Sequence, residues 1–151
     1  MRKKHLTTLI LFILPIFAFA QTAAELDTLL ETNEITVGVT ARFALGTVGL
    51  TPAGLSGVAA VNDAYQTAFS RGWVQRGQDE AISMQEAAFL IMNVFEIKGG
   101  IMYNALHNPR YAYREMVYQK LIPGRSYANM KVTGRQFLQV LNMAIDYAGD
   151  R

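Results

Sequence analysis

The chain has 151 residues, of which 51% are hydrophobic and 17% are charged, and 14 Lys and Arg against 12 Asp and Glu give it a formal net charge of +2. It contains no cysteine, which excludes disulfides, thiolate metal ligands, a cysteine nucleophile and lipid attachment through cysteine. A chain of this length and composition folds by burying an apolar core.

The first 20 residues have the order of a secretory signal peptide. Three cations at positions 2–4 precede an apolar run from Leu6 to about Phe17, and Ala18 and Ala20 follow. We expect cleavage after Ala20, since the apolar run is shorter than the roughly 20 residues of a spanning helix. A retained membrane anchor is the alternative. Cleavage leaves residues 21–151 as one exported domain of the periplasm or cell envelope, without a transmembrane span.

Cleavage would also change the charge. It removes three of the 14 basic residues and none of the 12 acidic ones, so the processed chain has 11 against 12 and a net charge of −1. The basic character belongs to the signal, and it gives no reason to expect nucleic acid or an anionic membrane as a partner.

Three segments of the processed chain share one layout. Each opens with a β-branched residue and a hydroxyl residue and continues with apolar residues at helical spacing; these pairs are Ile35-Thr36, Ile82-Ser83 and Val132-Thr133. The hydroxyl residues stand 47 and 50 positions apart, which indicates an internal repeat. A further helical segment precedes each opening; the three are "TAAELDTLL", Val61 to Gly72, and Arg110 to Ile122, the last stopped by Pro123-Gly124.

The hydroxyl residues are expected to cap helices. Ser83 with Glu86, and Thr133 with Gln136, have the spacing of a capping box, in which each side chain bonds a backbone N–H of the first turn. Thr36 has no such partner and predicts a simple cap, worth about 1 kcal/mol.

The helix after Ser83 is apolar nearly all round, which predicts the buried centre of a helical bundle. The run Lys98-Gly99-Gly100 is expected to end it. We expect residues 49–57 to be a flexible linker. Residues 98–109 are expected to form an ordered loop that packs on the bundle through four apolar side chains: Ile101, Met102, Tyr103 and Leu106.

The predicted fold is therefore all-α, with about six helices as three pseudo-repeated helix-loop-helix units. The units span about residues 21–50, 58–98 and 108–149.

The second unit resembles the S-layer homology domain, a three-unit helical module of bacterial envelope proteins whose units carry a loop of the type G-W/I-I-x-G and a helix opened by I-T-R-A-E. In "RGWVQRGQDEAISMQEAAFLIM", Trp73 takes the aromatic position, and Ile82, Ser83 and Glu86 match the helix opening. The other units match less well, the third through Val132, Thr133 and Gln136 and the first through Ile35 and Thr36 only.

The resemblance implies a three-unit fold more strongly than it implies a ligand. The motif arginine, which in the family is associated with binding anionic cell-wall glycopolymers, would fall at Val37, Met84 and Gly134. Arg135 stands one position late, which rotates a side chain on a helix by about 100°.

No residue pattern indicates catalysis. His107 is the only histidine of the processed chain and has no carboxylate at ligand spacing, so we expect a loop histidine and no metal or cofactor. The cap hydroxyls lack the G-x-S-x-G context of a serine nucleophile. Lys98-Gly99-Gly100 lacks the spacing of a phosphate loop. The protein is not expected to be an enzyme.

The stretch "NPRYAYREMVYQK" is the best candidate for binding. Arg110 and Arg114 are neighbours on one helix face, and Tyr111 and Tyr118 lie on a second face. Stacked aromatic rings and paired guanidinium groups suit an acidic glycan. The alternative is that these side chains form the amphipathic rim of the bundle.

The candidate ligand-binding residues are five: Trp73, Arg76, Arg110, Tyr111 and Arg114. Trp73 follows Gly72 at the end of a helix, where it forms either a sugar platform or a plug between helices.

The expected function is an exported, non-catalytic binding or scaffold module of the cell envelope that attaches to a cell-wall glycopolymer through a groove between units. The alternative is a periplasmic or outer-membrane-associated subunit that binds an envelope protein and has no glycan affinity.

Overall fold

The computed structural model describes residues 23–123 and 126–150, and this part of the chain folds into seven helices. They are α1 (23–31), α2 (Val37–Thr47), α3 (Gly57–Ser70), α4 (Met84–Val94), α5 (Ile101–Leu106), α6 (Pro109–Tyr118) and α7 (Gly134–Gly149). The predicted all-α fold is confirmed. None of the helices in these ranges is long and apolar enough to cross a membrane. The predicted signal peptide, residues 1–20, lies outside the described residues.

Six of the helices form the three expected pairs. Helix α1 leads into α2, α3 into α4, and α6 into α7, while α5 lies in the connection between the second and third pairs. In each pair an extended segment precedes the second helix. Thr36, Ser83 and Thr133 are its N-cap residues, with extended backbones at φ −88°, −90° and −80°.

The residue before each N-cap takes part in a closed cycle of backbone hydrogen bonds. The N–H of Ile35 donates to the carbonyl of Val132 (2.9 Å), and that of Val132 donates to Ile82 (3.3 Å). The N–H of Ile82 donates to Ile35 (3.0 Å), which closes the cycle. All three side chains are buried. The three units therefore meet around one point, with every unit bonded to both others.

A second set of bonds surrounds this cycle. The first N–H of α2, α4 and α7 has no acceptor inside its own helix, and each one donates to the carbonyl of another unit. These bonds run from Val37 to Glu80 (3.0 Å), from Met84 to Met130 (2.9 Å) and from Gly134 to Thr32 (2.9 Å).

The predicted caps are confirmed. Glu86 accepts hydrogen bonds from the N–H (2.9 Å) and the hydroxyl of Ser83. The Thr133 hydroxyl accepts from the N–H of Gln136 (3.2 Å), whose side chain accepts from the N–H of Thr133 (3.1 Å). Thr36 makes only the simple cap, accepting from the third helical N–H at 3.4 Å.

Helix α4 is the buried centre of the bundle, as predicted. It lies against α2, α6 and α7. Eight of its 11 residues are buried: Met84, Ala87, Ala88, Phe89, Leu90, Ile91, Met92 and Val94.

The predicted ends of two helices are wrong. Helix α4 ends at Val94, before Lys98-Gly99-Gly100, and α6 ends at Tyr118, before Pro123. Both end in a Schellman turn in which a non-glycine residue, Glu96 (φ 52°) or Lys120 (φ 61°), adopts the left-handed conformation.

Burial of the next residue explains these left-handed turns. Ile97 and Leu121 follow Glu96 and Lys120, and both are buried. Burying such a side chain contributes about 1.5–3 kcal/mol, against a cost of about 1–2 kcal/mol for a left-handed residue. The packing therefore decides where the chain turns.

Two helices begin earlier than predicted. Helix α3 begins at Gly57 instead of Val61, so it takes up the last residue of the expected linker. Helix α6 begins at Pro109, which has no N–H to leave unpaired, after the N-cap Asn108.

The stretch 98–109 is ordered around α5, but most of its expected packing is wrong. Only Tyr103 of its four apolar side chains is buried, whereas Ile101, Met102 and Leu106 are exposed. A helix of six residues presents only one face to the bundle, and Tyr103 occupies that face.

Replacing Lys120 with glycine should stabilise the protein. Glycine adopts φ of 61° without the steric cost that lysine pays, so we expect Lys120→Gly to raise the free energy of unfolding by about 1 kcal/mol. Urea denaturation measures this difference. Lys120→Ala is the control, because it removes the same side chain and keeps the strained backbone. Equal stability of the two variants would contradict the explanation.

Replacing Gly134 should have the opposite effect. A β-carbon at this position would overlap the carbonyl oxygen of Leu29, at the end of α1. We expect Gly134→Ala to lower the free energy of unfolding by about 3 kcal/mol, because α1 must move away from α7. Gly149→Ala is the matched control in the same helix, since a β-carbon there meets no atom within 4 Å. Denaturation curves that coincide for the two variants would rule out this close approach.

Candidate functional site

The five candidate residues do not form one site but lie in three separate locations. Trp73 and Arg76 line a crevice beside the start of α4, and Tyr111 and Arg114 line a groove beside α6. Arg110 is exposed and lines neither.

The crevice at Trp73 and Arg76 has little room and little free charge. Its volume is about 20 Å³, enough for a single water molecule. The Nε of Arg76 donates to Glu86 at 2.7 Å, and its Nη1 lies 3.6 Å from Glu80. Trp73 lies beneath the guanidinium of Arg71, at 4.8 Å from the ring centre. Arg76 therefore braces the carboxylate that caps α4.

The second location is an open groove of about 320 Å³ between α5 and α6, here called the α5–α6 groove. It is lined chiefly by Ile101, Met102, Tyr103, Tyr111, Arg114 and Tyr118. Ile101 is 86% exposed and Tyr118 is 83% exposed. The volume is within the range of about 300–1,000 Å³ typical of ligand pockets.

Local structure holds Tyr111 and Arg114 in place on α6. The side chain of Asn108 accepts a hydrogen bond from the N–H of Tyr111 (3.2 Å) and so caps the first turn. The guanidinium of Arg114 lies over the Tyr111 ring, 5.8 Å from its centre. Arg114 forms no ion pair with any residue of the described ranges. Its charge is therefore free to meet a ligand.

Glu115 fixes the distance between the two walls of the groove. Its Oε2 accepts from the N–H of Gly100 at the start of α5 (2.9 Å), and its Oε1 accepts from the Gln119 amide (2.8 Å). The same amide donates to the carbonyl of Lys98 (3.0 Å). The glutamate is thus used in building the groove.

An aromatic cluster holds α5 against α4. The ring centres of Tyr103 and His107 are 4.9 Å apart, and those of Phe89 and His107 are 5.2 Å apart. His107 ends α5 in a left-handed conformation (φ 37°), and its Nε2 lies 3.1 Å from Oδ1 of Asn93. The expected loop histidine thus has a packing role.

Sequence reasoning did not identify Ile101 and Met102 as groove residues. Two apolar residues after Gly99-Gly100 indicate packing as readily as exposure, and only the position of α5 decides between the two. Tyr111 and Tyr118, seven residues apart on α6, line the same groove.

The three positions of the S-layer homology arginine are all buried here. Val37 and Met84 lie in the core, and Gly134 has no room for a β-carbon. A charged side chain at any of them would be directed into the protein, so these positions offer no exposed cation.

Within residues 23–123 and 126–150, no three His, Asp or Glu side chains come together as metal ligands.

No family model, curated protein or solved structure matches the chain.

The Tyr103 anchor predicts a pH dependence of stability. Burial raises the pKa of its phenol from 10.0 to about 12, against a smaller lowering by the hydrogen bond with Asn93. The phenol of Tyr103 ionises at a lower pH in the unfolded chain than in the folded protein. The stability that neutral Tyr103 contributes is therefore complete below pH 10 and is lost between pH 10 and about 12.

We therefore expect the free energy of unfolding to fall as the pH rises through this window, and to fall less steeply in Tyr103→Phe, which has no phenol to ionise. Urea denaturation at a series of pH values measures both slopes. Parallel slopes would contradict the assignment to Tyr103.

Proposed function

We propose that the protein is an exported, non-catalytic binding module of the cell envelope, and that the α5–α6 groove attaches it to an acidic cell-wall glycopolymer. The observation that carries the proposal is Arg114, which lies over Tyr111 in an open groove and has no ion pair among the described residues.

The chemistry of the groove supports a glycan ligand. Tyr118 offers an exposed ring face on which a sugar can stack. Arg114, which lies over the Tyr111 ring, offers a cation to a carboxylate or phosphate substituent. Glu115 lines the same groove, but both of its oxygens already accept hydrogen bonds from the protein. A repeating anionic polymer would therefore bind by placing one of its sugar residues in this groove.

The resemblance to the S-layer homology domain supports the same class of ligand, with a different means of binding it. The family motif would place its arginines at positions that are buried in this chain. The α5–α6 groove would supply the missing cation from α6.

A second candidate function is a protein-interaction subunit without glycan affinity. Ile101 and Met102 favour it, since both are apolar and exposed and line the same groove as Tyr118. Aromatic residues, methionine and arginine are enriched in protein interfaces.

Cosedimentation with purified cell wall tests the proposal. We expect Arg114→Ala combined with Tyr118→Ala to weaken binding about tenfold or more, because each removes a central contact of a size typically worth over 1 kcal/mol. Arg110→Ala combined with Tyr127→Ala is the matched control, since both residues are exposed and neither lines the groove.

Protease treatment of the wall separates the two candidates. Binding that survives digestion supports the glycopolymer, whereas binding that disappears supports a protein partner. An equal loss of cell-wall binding in the groove variant and the control variant would show that the groove serves neither function.

A further inference from the structure

A larger groove lies on another part of the bundle, between α1, α2 and the beginning of α3. Its volume is about 360 Å³, and we call it the α1–α2 groove. Its walls are mostly apolar and include Leu29, Ile35, Val39, Phe43 and Val61. Leu29 and Ile35 belong to the core, so the groove reaches down to the centre of the first unit.

The threonine hydroxyls along this groove are already used by the fold. Thr28 donates to the carbonyl of Ala24 (2.9 Å), and Thr32 donates to that of Thr28 (2.7 Å). Thr36 accepts from the N–H of Val39 as the cap of α2. These groups therefore contribute little to recognising a ligand.

Arg42 is different, because its charge is poorly compensated. Its side chain is only 23% exposed, and its buried Nε has no hydrogen-bond partner within residues 23–123 and 126–150. Its Nη2 forms a long ion pair with Oε2 of Glu25, at 4.0 Å. The other oxygen of Glu25 accepts from the N–H of Gly57 (3.2 Å), which holds that carboxylate toward α3. A largely buried guanidinium with an unbonded Nε, and with one long ion pair among the described residues, can hold a second anion.

The acidic residues along the groove limit the charge of that anion. Glu25 and Glu34 both line it, so a polyanion would be repelled, whereas a single negative charge can be held by the Nη groups of Arg42. The remaining surface is suited to a hydrocarbon chain.

From these observations we infer that the α1–α2 groove binds an alkyl carboxylate, with its carboxylate on Arg42 and its chain along Leu29, Val39, Phe43 and Val61. This site does not depend on the proposed function of the α5–α6 groove, because the two grooves share no lining residue.

Calorimetric titration of the full protein, as expressed and processed, tests the site with decanoate as the probe. Decan-1-ol has the same chain without the charge, and acetate has the charge without the chain. We expect decanoate to bind at least tenfold more tightly than either. Arg42→Met should abolish the preference for decanoate over decan-1-ol.

A pair of tryptophan variants keeps the test independent of Arg42. Thr28 is exposed and lines the groove, so Thr28→Trp should fill it and weaken decanoate binding at least tenfold. Asp27→Trp is the control on the same helix, since Asp27 is exposed and does not line the groove. Equal affinity of the wild-type protein for decanoate and decan-1-ol, or equal affinity of the two tryptophan variants for decanoate, would overturn the proposal.

Discussion

The cycle of three backbone hydrogen bonds among Ile35, Ile82 and Val132 is the constraint on which the rest of the structure depends. Each bond joins two units that are distant in sequence, and the cycle closes only when all three units are in place. A buried N–H without an acceptor costs about 1–3 kcal/mol. No unit can therefore satisfy its own buried backbone groups, and each pair of helices depends on the other two.

Backbone bonds also explain why the repeat tolerates so much variation in sequence. The cycle requires an extended segment and an apolar side chain at each of its three positions, and the next residue needs only a hydroxyl to cap its helix. The identity of the residue after the cap depends on the local packing, and it differs among the three units: Val37, Met84 and Gly134. At Gly134 the backbone of α1 comes so close that only glycine fits.

The candidate binding surface appears where the repeat is broken. Helix α5 lies between the second and third units, and the connection between the first two units, residues 48–56, has no corresponding helix. This insertion forms one wall of the α5–α6 groove, while the repeated helix α6 forms the other. The pseudo-symmetric bundle thus provides a rigid support, and a feature that is not repeated provides the specific surface. The α1–α2 groove is set apart in another way, by Arg42, whose one ion pair among the described residues is 4.0 Å long.

Features that depend only on residues close together in the chain could be predicted from the sequence. Hydroxyl residues at Thr36, Ser83 and Thr133 identified the helix beginnings, because a cap acts within one turn. The apolar character of α4 on every side identified the centre of the bundle. Only the tertiary structure decided where α4 and α6 end, because burial of Ile97 and Leu121 by distant residues outweighs the local cost of a left-handed turn. Likewise, the pairing of a charged side chain depends on which carboxylates the fold brings within reach, and no local pattern contains that information.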